Sequence, residues 1–317
     1  MTTLPPLLEV HGLKKYFASG SSTVKAVDDV SFSLAEGQTL GLVGESGCGK
    51  STLGRVACGL LDPSDGQVLV NGRDRTSLSS KEEAEARLQV QMIFQNPYAS
   101  LNPRLRIDQI VGEAAQVNGK VEGDLDAYVC QQLLRAGLDP ALRDRYPHQF
   151  SGGQRQRIGI ARALAVQPQM LVCDEAVAAL DVSIQAQILN LFMDLREQLG
   201  LTYLFISHDL GVVEHVSDRV VIMYLGRVVE SAPVGELFGQ PNHPYTQALL
   251  AEVPRMGARK KEFTAIKGEI PSPLNPPTGC HFNPRCPHAT QRCREEQPLL
   301  REIAPGHLSA CHLNDGR

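Results

Sequence analysis

A chain of 317 residues points to about two domains. Its 42% hydrophobic and 21% charged residues supply a sizeable core and exclude a disordered tail, a collagen-like repeat and a mini-protein. The net charge of −4, from 31 basic and 35 acidic residues, argues against a nucleic-acid partner. No apolar run reaches the roughly 18 residues of a membrane span. The start, Met1-Thr2-Thr3-Leu4-Pro5-Pro6, lacks the basic and apolar regions of a signal peptide. The expectation is a cytosolic chain whose membrane role comes through a partner.

Along the chain, Gly20-Ser21-Ser22-Thr23 predicts a loop between early strands. Thr39 to Val43 (TLGLV) is an apolar run that predicts a buried strand. It leads into Gly44-Glu45-Ser46-Gly47-Cys48-Gly49-Lys50-Ser51-Thr52, which is G-x-x-x-x-G-K-S, a phosphate-binding loop between strand and helix. The glycines let backbone N–H groups turn inward, and these with the helix N-terminus cradle phosphate oxygens. Lys50 is expected to reach the β- and γ-phosphates, and Ser51 to bind Mg²⁺.

Further on, Ser151-Gly152-Gly153-Gln154-Arg155-Gln156-Arg157 opens a helical run to about Ala165. Ser151 is a good N-cap, and two glycines free the backbone just before the helix. Taken alone this is a capped helix with a basic first turn. One nucleotide seldom needs two such ends in one chain, so this one suits the nucleotide of a neighbouring subunit. Met170-Leu171-Val172-Cys173-Asp174-Glu175 predicts a central parallel strand ending at the ligand edge of the sheet. Asp174 would hold Mg²⁺, directly or through water, and Glu175 would orient and deprotonate the attacking water. An apolar run ending in two acids is weak taken alone; paired with the phosphate loop it reads as catalytic.

Composition shifts near residue 255. Residues 255–317 hold 10 basic and 6 acidic residues, so this tail is +4 and the remainder −8. The tail also holds 8 of the 20 prolines, which do not suit long helices or a regular sheet. A small appended domain with little regular structure is expected over 255–317, after a nucleotide-binding domain over 1–254. Of eight cysteines, Cys48, Cys58, Cys130 and Cys173 are scattered, whereas Cys280, Cys286, Cys293 and Cys311 fall within the last 38 residues. In a reducing cytosol that late cluster reads better as a metal site than as disulfides.

The order Gly44–Ser51, Ser151–Gln154, Asp174–Glu175 resembles the ATP-binding cassette family, over nearly the whole chain. The resemblance implies an α/β fold: a phosphate-loop core with a mixed, mostly parallel sheet, and a helical signature subdomain at about 96–165. It implies further roles. Gln95, after the strand Val90–Phe94, matches the glutamine loop that senses Mg²⁺ and the attacking water. Asp181 matches the aspartate loop that crosses the dimer interface. His208, in Ile206-Ser207-His208-Asp209, matches the switch histidine on the γ-phosphate. Phe17 matches the aromatic that stacks on adenine, with Tyr16 the adjacent alternative and core packing an equal reading for Phe17. Two positions depart from the family pattern: Ala176 stands where proline is usual and Ala178 where serine is usual. The first loosens a turn, and the second removes a hydroxyl worth about 1 kcal/mol if it hydrogen-bonds.

Four stretches narrow the resemblance to the ATPase subunits of dipeptide/oligopeptide importers: Phe94–Arg104 (FQNPYASLNPR), Arg145–Phe150 (RYPHQF), His243–Leu250 (HPYTQALL) and Gly279–Pro287 (GCHFNPRCP). That implies two ATPases, usually unlike, under two membrane permeases at the cytoplasmic face, fed by an external binding protein. Gln95–Pro103 sits where such subunits grip the permease. ATP would lie between head-to-tail subunits, each held by one chain's phosphate loop and the other's Ser151–Gln154. Cassettes that act on DNA or ribosomes usually carry coiled-coil inserts, zinc insertions or a second cassette, none of which is seen. A scaffold without turnover is opposed by Glu175 and His208. Peptides are the expected cargo, with nickel, glutathione and sugars carried by related systems.

The gaps among Cys280, Cys286, Cys293 and Cys311 are five, six and seventeen residues. Zinc sites usually include one pair spaced by about two to four residues. Four thiolates also suit an iron–sulfur cluster, and the resembled importers can carry a [4Fe–4S] cluster in this tail. The cluster is the expectation and Zn²⁺, aided by His281, His288, His307 or His312, the alternative. Its role would be structural, since hydrolysis needs no redox step.

Overall fold

The computed structural model describes residues 6–20, 22–252 and 268–315. The chain opens with two long strands, β1 (Pro6–Ser19) and β2 (Ser22–Ala35), paired antiparallel. Ala18 faces Thr23 and Ser19 faces Ser22, so the expected four-residue loop contracts to a tight turn. The apolar run at 39–43 is β3 (Thr39–Val43), buried along its length, and it feeds α1 (Lys50–Ala57). β4 (Asp65–Val70) and β5 (Arg73–Asp74) complete an antiparallel sheet of order β2-β1-β4-β5.

After α2 (Ser80–Gln89) and β6 (Val90–Ile93) come four helices: α3 (Pro97–Ser100), α4 (Ile107–Val117), α5 (Leu125–Arg135) and α6 (Gly152–Leu164). They form the helical subdomain expected at 96–165. The chain continues through β7 (Met170–Asp174), α7 (Val182–Leu199), β8 (Thr202–Ile206), α8 (Leu210–Val216), β9 (Arg219–Tyr224), β10 (Arg227–Pro233), α9 (Val234–Gly239) and α10 (Pro244–Ala251). Strands β9, β3, β8, β7 and β6 lie side by side and parallel. β3, β7 and β8 are buried on both faces, which is why they read as unbroken apolar runs without alternation.

The described part of the tail carries only short regular elements: α11 (Gln291–Glu295), β11 (Arg301–Ala304) and β12 (His307–Ser309). The hairpin β11–β12 pairs with β10 and extends the central sheet to the order β11-β12-β10-β9-β3-β8-β7-β6. Seven tail prolines precede this hairpin, and the eighth, Pro305, sits in its turn, so none blocks the ladder. Pairing with β12 also covers backbone groups that an open edge at β10 would expose. A buried hydrogen-bond cluster pins the junction: His307 Nε2 lies 2.7 Å from Glu230 Oε1, and the same carboxylate accepts the backbone N–H groups of Asn242 and His243. The expected domain boundary at 254/255 lies outside the described residues.

Candidate functional site

At the C-terminal edge of the parallel strands, the loop 44–49 turns into α1. Gly49 is its N-cap at φ 105°, and a Cβ there would lie 2.0 Å from the Ala26 carbonyl oxygen, so only glycine fits. No side chain caps α1, which leaves its first N–H groups for an incoming acceptor. Ser46 and Gly47 are exposed at the apex, Cys48 is buried beneath them, and Ser51 and Thr52 are half-buried in the first turn. Lys50 is buried and donates to the carbonyls of Gly44 (2.6 Å) and Glu45 (3.1 Å). The ammonium thus rests on the loop it belongs to, within the cradle where phosphate oxygens are expected.

Ser51 Oγ donates to Asp174 Oδ1 at 2.7 Å, joining the loop to the end of β7. Burial pushes the Asp174 carboxyl above the usual carboxylate range, and Glu175 adds to this; the Ser51 hydrogen bond, Arg55 and Lys50 work the other way. A buried hydroxyl–carboxylate pair beside a phosphate cradle is a donor set suited to a hard divalent cation such as Mg²⁺.

Glu175 adopts the left-handed region at φ 48°, rare for a residue with a Cβ, and its N–H is held by the Ile206 carbonyl at 3.0 Å. Strand β7 ends in Asp174, and this turn aims the next carboxylate back across the sheet edge. One Glu175 oxygen accepts from Gln95 Nε2 at 2.6 Å, and the other lies 3.3 Å from His208 Nδ1. Gln95 follows β6 and His208 follows β8, so the three neighbouring strands β6, β7 and β8 deliver glutamine, glutamate and histidine to one point. The Ala176 and Ala178 positions lie in the turn after Glu175, closed by the Ala178 N–H on the Glu175 carbonyl.

Ser151 caps α6 in a reciprocal box with Gln154. A Cβ on Gly153 would lie 2.4 Å from an Ile184 methyl, so glycine permits the close approach of α6 to α7. Asp181 caps α7, exposed, one turn before Ile184. Ser151–Gln154 and Asp181 therefore share a surface, and among the described residues neither hydrogen-bonds to this chain's phosphate loop. Phe17 is 38% exposed on β1, with the Lys15 ammonium 5.3 Å over its ring. Its neighbour Tyr16 is committed by hydrogen bond to Asp28 and faces Lys25.

In the tail, Cys280, Cys286, Cys293 and Cys311 are free and partly buried. Burial pushes the Cys280 thiol up to about 11, with Cys293, Cys311 and Cys286 each adding by their charge. Burial likewise raises Cys286 and Cys311, and there too the neighbouring tail thiols add. Among the described residues, however, no three His, Cys, Asp or Glu side chains are gathered tightly enough to hold a metal ion.

Two residues at the site escaped the sequence reading as contacts of the loop: Tyr245, whose hydroxyl accepts the Glu45 N–H at 3.0 Å, and Arg285, which ion-pairs with Glu45. Arg285 lies 240 positions away, so no local spacing could have pointed to the pair.

Comparison with known proteins agrees with this geometry. Residues 27–178 match the family described as "ABC transporter". Residues 229–293 match "Oligopeptide/dipeptide transporter, C-terminal region". The chain is 51% identical to the oligopeptide transport ATP-binding protein AppF of Bacillus subtilis, over 97% of each chain. It is 49% identical to the dipeptide transport ATP-binding protein DppF of Haemophilus influenzae, over 96% of each. Among solved structures, a dimeric ATP-binding cassette in a post-hydrolysis state with ADP and Pi is similar at TM-score 0.65 and 27% identity, over 72% of this chain and 98% of that one. A cbiO1 structure from Clostridium perfringens is similar at TM-score 0.66 and 29% identity, over 74% of this chain and 91% of that one. The chain belongs to the ATP-binding cassette transporter family.

Proposed function

We infer that the protein is the ATP-hydrolysing subunit of a peptide importer. The observation that carries the reading is the convergence of Gln95, Glu175 and His208 beside Ser51–Asp174 and the uncapped start of α1. Lys50 and the N–H groups of 44–52 bind the phosphates. Ser51, Asp174 and Gln95 would hold Mg²⁺, which would supply charge neutralisation for the phosphates. Glu175 takes a proton from the attacking water, Gln95 orients that carboxylate, and His208 reaches the γ-phosphate edge. Phe17 offers an exposed ring for the base.

The Ser151–Gln154 end and Asp181 are turned to a second ATPase subunit, and a heterodimer suits the unlike pairs of the resembled importers. Their exposure on one surface apart from the chain's own loop supports this reading. The short helix α3, with Tyr98 58% exposed, offers a permease contact within Gln95–Pro103. Among the described residues no helix is long and apolar enough to cross a membrane, which fits a subunit held peripherally at the cytoplasmic face by two permeases. An external binding protein would deliver the substrate, and the names of AppF and DppF favour peptides over nickel, glutathione or sugar.

For the tail we propose a separate functional unit, residues 255–317, with a [4Fe–4S] cluster on Cys280, Cys286, Cys293 and Cys311. The four cysteines are separated by five, six and seventeen residues, without the pair spaced by about two to four residues that zinc sites usually include. A cluster takes its cysteines at separate irons. Zn²⁺, aided by His281, His288, His307 or His312, is the alternative.

The decisive experiment is reconstitution with permeases and the second ATPase. ATP-dependent peptide uptake and phosphate release are expected, and the absence of phosphate release removes the reading. Anaerobic purification with iron and sulfide assays tests the tail. Zinc without sulfide overturns the cluster, and Cys286→Ser is expected to lose the cofactor with ATP binding largely kept.

A further inference from the structure

A carboxylate at the second position of a phosphate-binding loop is an electrostatic liability, because it adds negative charge beside bound phosphates. Here that carboxylate, Glu45, is answered from the tail. Arg285 Nη1 donates to Glu45 Oε2 at 2.6 Å and Nη2 to Oε1 at 3.0 Å, a two-pronged pair. The arginine side chain is 5% exposed and the glutamate 22%. The Tyr224 ring lies under the guanidinium at 5.8 Å, and its hydroxyl accepts from Nη1 at 3.4 Å.

The grip does not stand alone. Tyr224, Tyr245 and Phe282 form a buried aromatic cluster with centroid separations of 4.7 to 5.3 Å. Tyr245 accepts the Glu45 N–H, so Glu45 is held at backbone and side chain alike. His281 Nδ1 meets the Leu225 carbonyl at 3.1 Å, and the next residue, Gly226, donates its N–H to the Cys48 carbonyl. Tail residues 281–285 thus bear on both ends of the loop, at Glu45 directly and at Cys48 through the β9–β10 turn. The carbonyls of Gly44 and Glu45, on which Lys50 rests, belong to the same held segment.

We propose that Arg285 is a positioning residue of the ATP site: the tail neutralises Glu45 and fixes the loop in its phosphate-accepting shape. This rests on the reading of the loop as the ATP site. Removing Arg285 leaves a carboxylate beside the phosphates and frees one anchor of the loop. The effect falls on nucleotide affinity, since Glu175, Gln95 and His208 are untouched.

The test uses the full chain with its second ATPase and permeases, with radiolabelled ATP and Mg²⁺ as the probe and a thermal melt for folding. Arg285→Ala is expected to raise the Kd and KM for ATP about tenfold with kcat within about twofold. Adding Glu45→Gln to that variant removes the unanswered charge and is expected to recover most of the lost affinity. A merely structural role would not be rescued this way. A folded Arg285→Ala protein with wild-type affinity, or failure of Glu45→Gln to recover it, overturns the proposal. If Arg285→Ala does not fold, Arg285→Gln gives the same reading: it keeps a polar side chain but drops the charge, so weaker ATP binding at unchanged kcat is expected, and wild-type affinity overturns the role. A wild-type complex that binds no ATP removes the ATP-site reading itself, whereas equal affinity in wild type and variant removes only the role of Arg285.

Discussion

Two helix N-termini in this protein look alike in sequence, each opened by glycines, yet they are finished differently. α1 begins at Gly49 with no side-chain cap and with Lys50 buried against its own loop. α6 begins at Ser151 with a complete capping box, at a solvent-facing surface. Its cap leaves the serine O–H able to donate outward while its oxygen accepts the Gln154 N–H. The difference teaches what a helix end needs in order to serve a ligand. An end served by its own chain leaves its N–H groups open, and the surrounding fold supplies the shape. On the proposed reading, the α6 end awaits a second subunit and must be stable without a ligand, so it caps itself.

The largest expected effect comes from breaking the first site. Glu175→Gln keeps ATP binding and slows phosphate release by about 10² to 10⁴, the weight of a general base. Undiminished turnover would take the base role from Glu175. Lys50→Ala, by contrast, weakens nucleotide binding itself.

The second site breaks differently. On the proposed reading that the Ser151–Gln154 end serves a second subunit's nucleotide, Ser151→Arg fills the space of those phosphates, so the ATP-bound pair is not expected to close. Hydrolysis by the assembled complex falls by about tenfold or more as the site loses its alignment. ATP binding by this chain's own loop persists. Loss of nucleotide affinity in the isolated variant chain would show that both ends serve one nucleotide.

A pH series sharpens the contrast. Behind the phosphate loop, His243 caps α10, and Tyr245 of that helix holds Glu45. Burial pushes His243 down to about 3 from 6.5. The unfolded chain therefore takes up a proton below about 6.5 that the folded chain refuses until about 3. Stability from this group is present above the unfolded value and is lost as pH falls through that window. Urea midpoints at pH 7 and pH 5 are expected to differ less for His243→Gln than for wild type. An equal difference would remove the buried imidazole as a source of acid sensitivity.

The smallest effect is the cap itself. Ser151→Ala removes one side of the box and costs about 1 kcal/mol, which lowers Tm by about 2–4 °C in a chain of this size. A Tm unchanged by the substitution would mean that α6 holds its start by packing on α7 alone.

The sequence by itself determined the chemistry wherever it depends on neighbours along the chain. A phosphate loop is local, because its N–H groups point inward through the torsions of consecutive residues; hence Gly44 to Thr52 was legible. The same holds for the Ser151 cap and for the buried strands at 39–43 and 170–174, whose two covered faces force unbroken apolar runs. Glu175 was legible from its place after an apolar strand paired with the phosphate loop, whereas Gln95 and His208 could be nominated only by resemblance, since each is an ordinary residue after a strand. Tertiary structure decided that β6, β7 and β8 lie side by side, and so that the three side chains meet. It also decided what composition obscured in the tail. Proline content argued against regular structure, but the hairpin at 301–309 follows most of the prolines and finds its partner in β10, far back in the chain. The pairing of Arg285 with Glu45 is of the same kind. Neither residue signals the other in sequence, and only the aromatic packing of Tyr224, Tyr245 and Phe282 brings the opposite charges together.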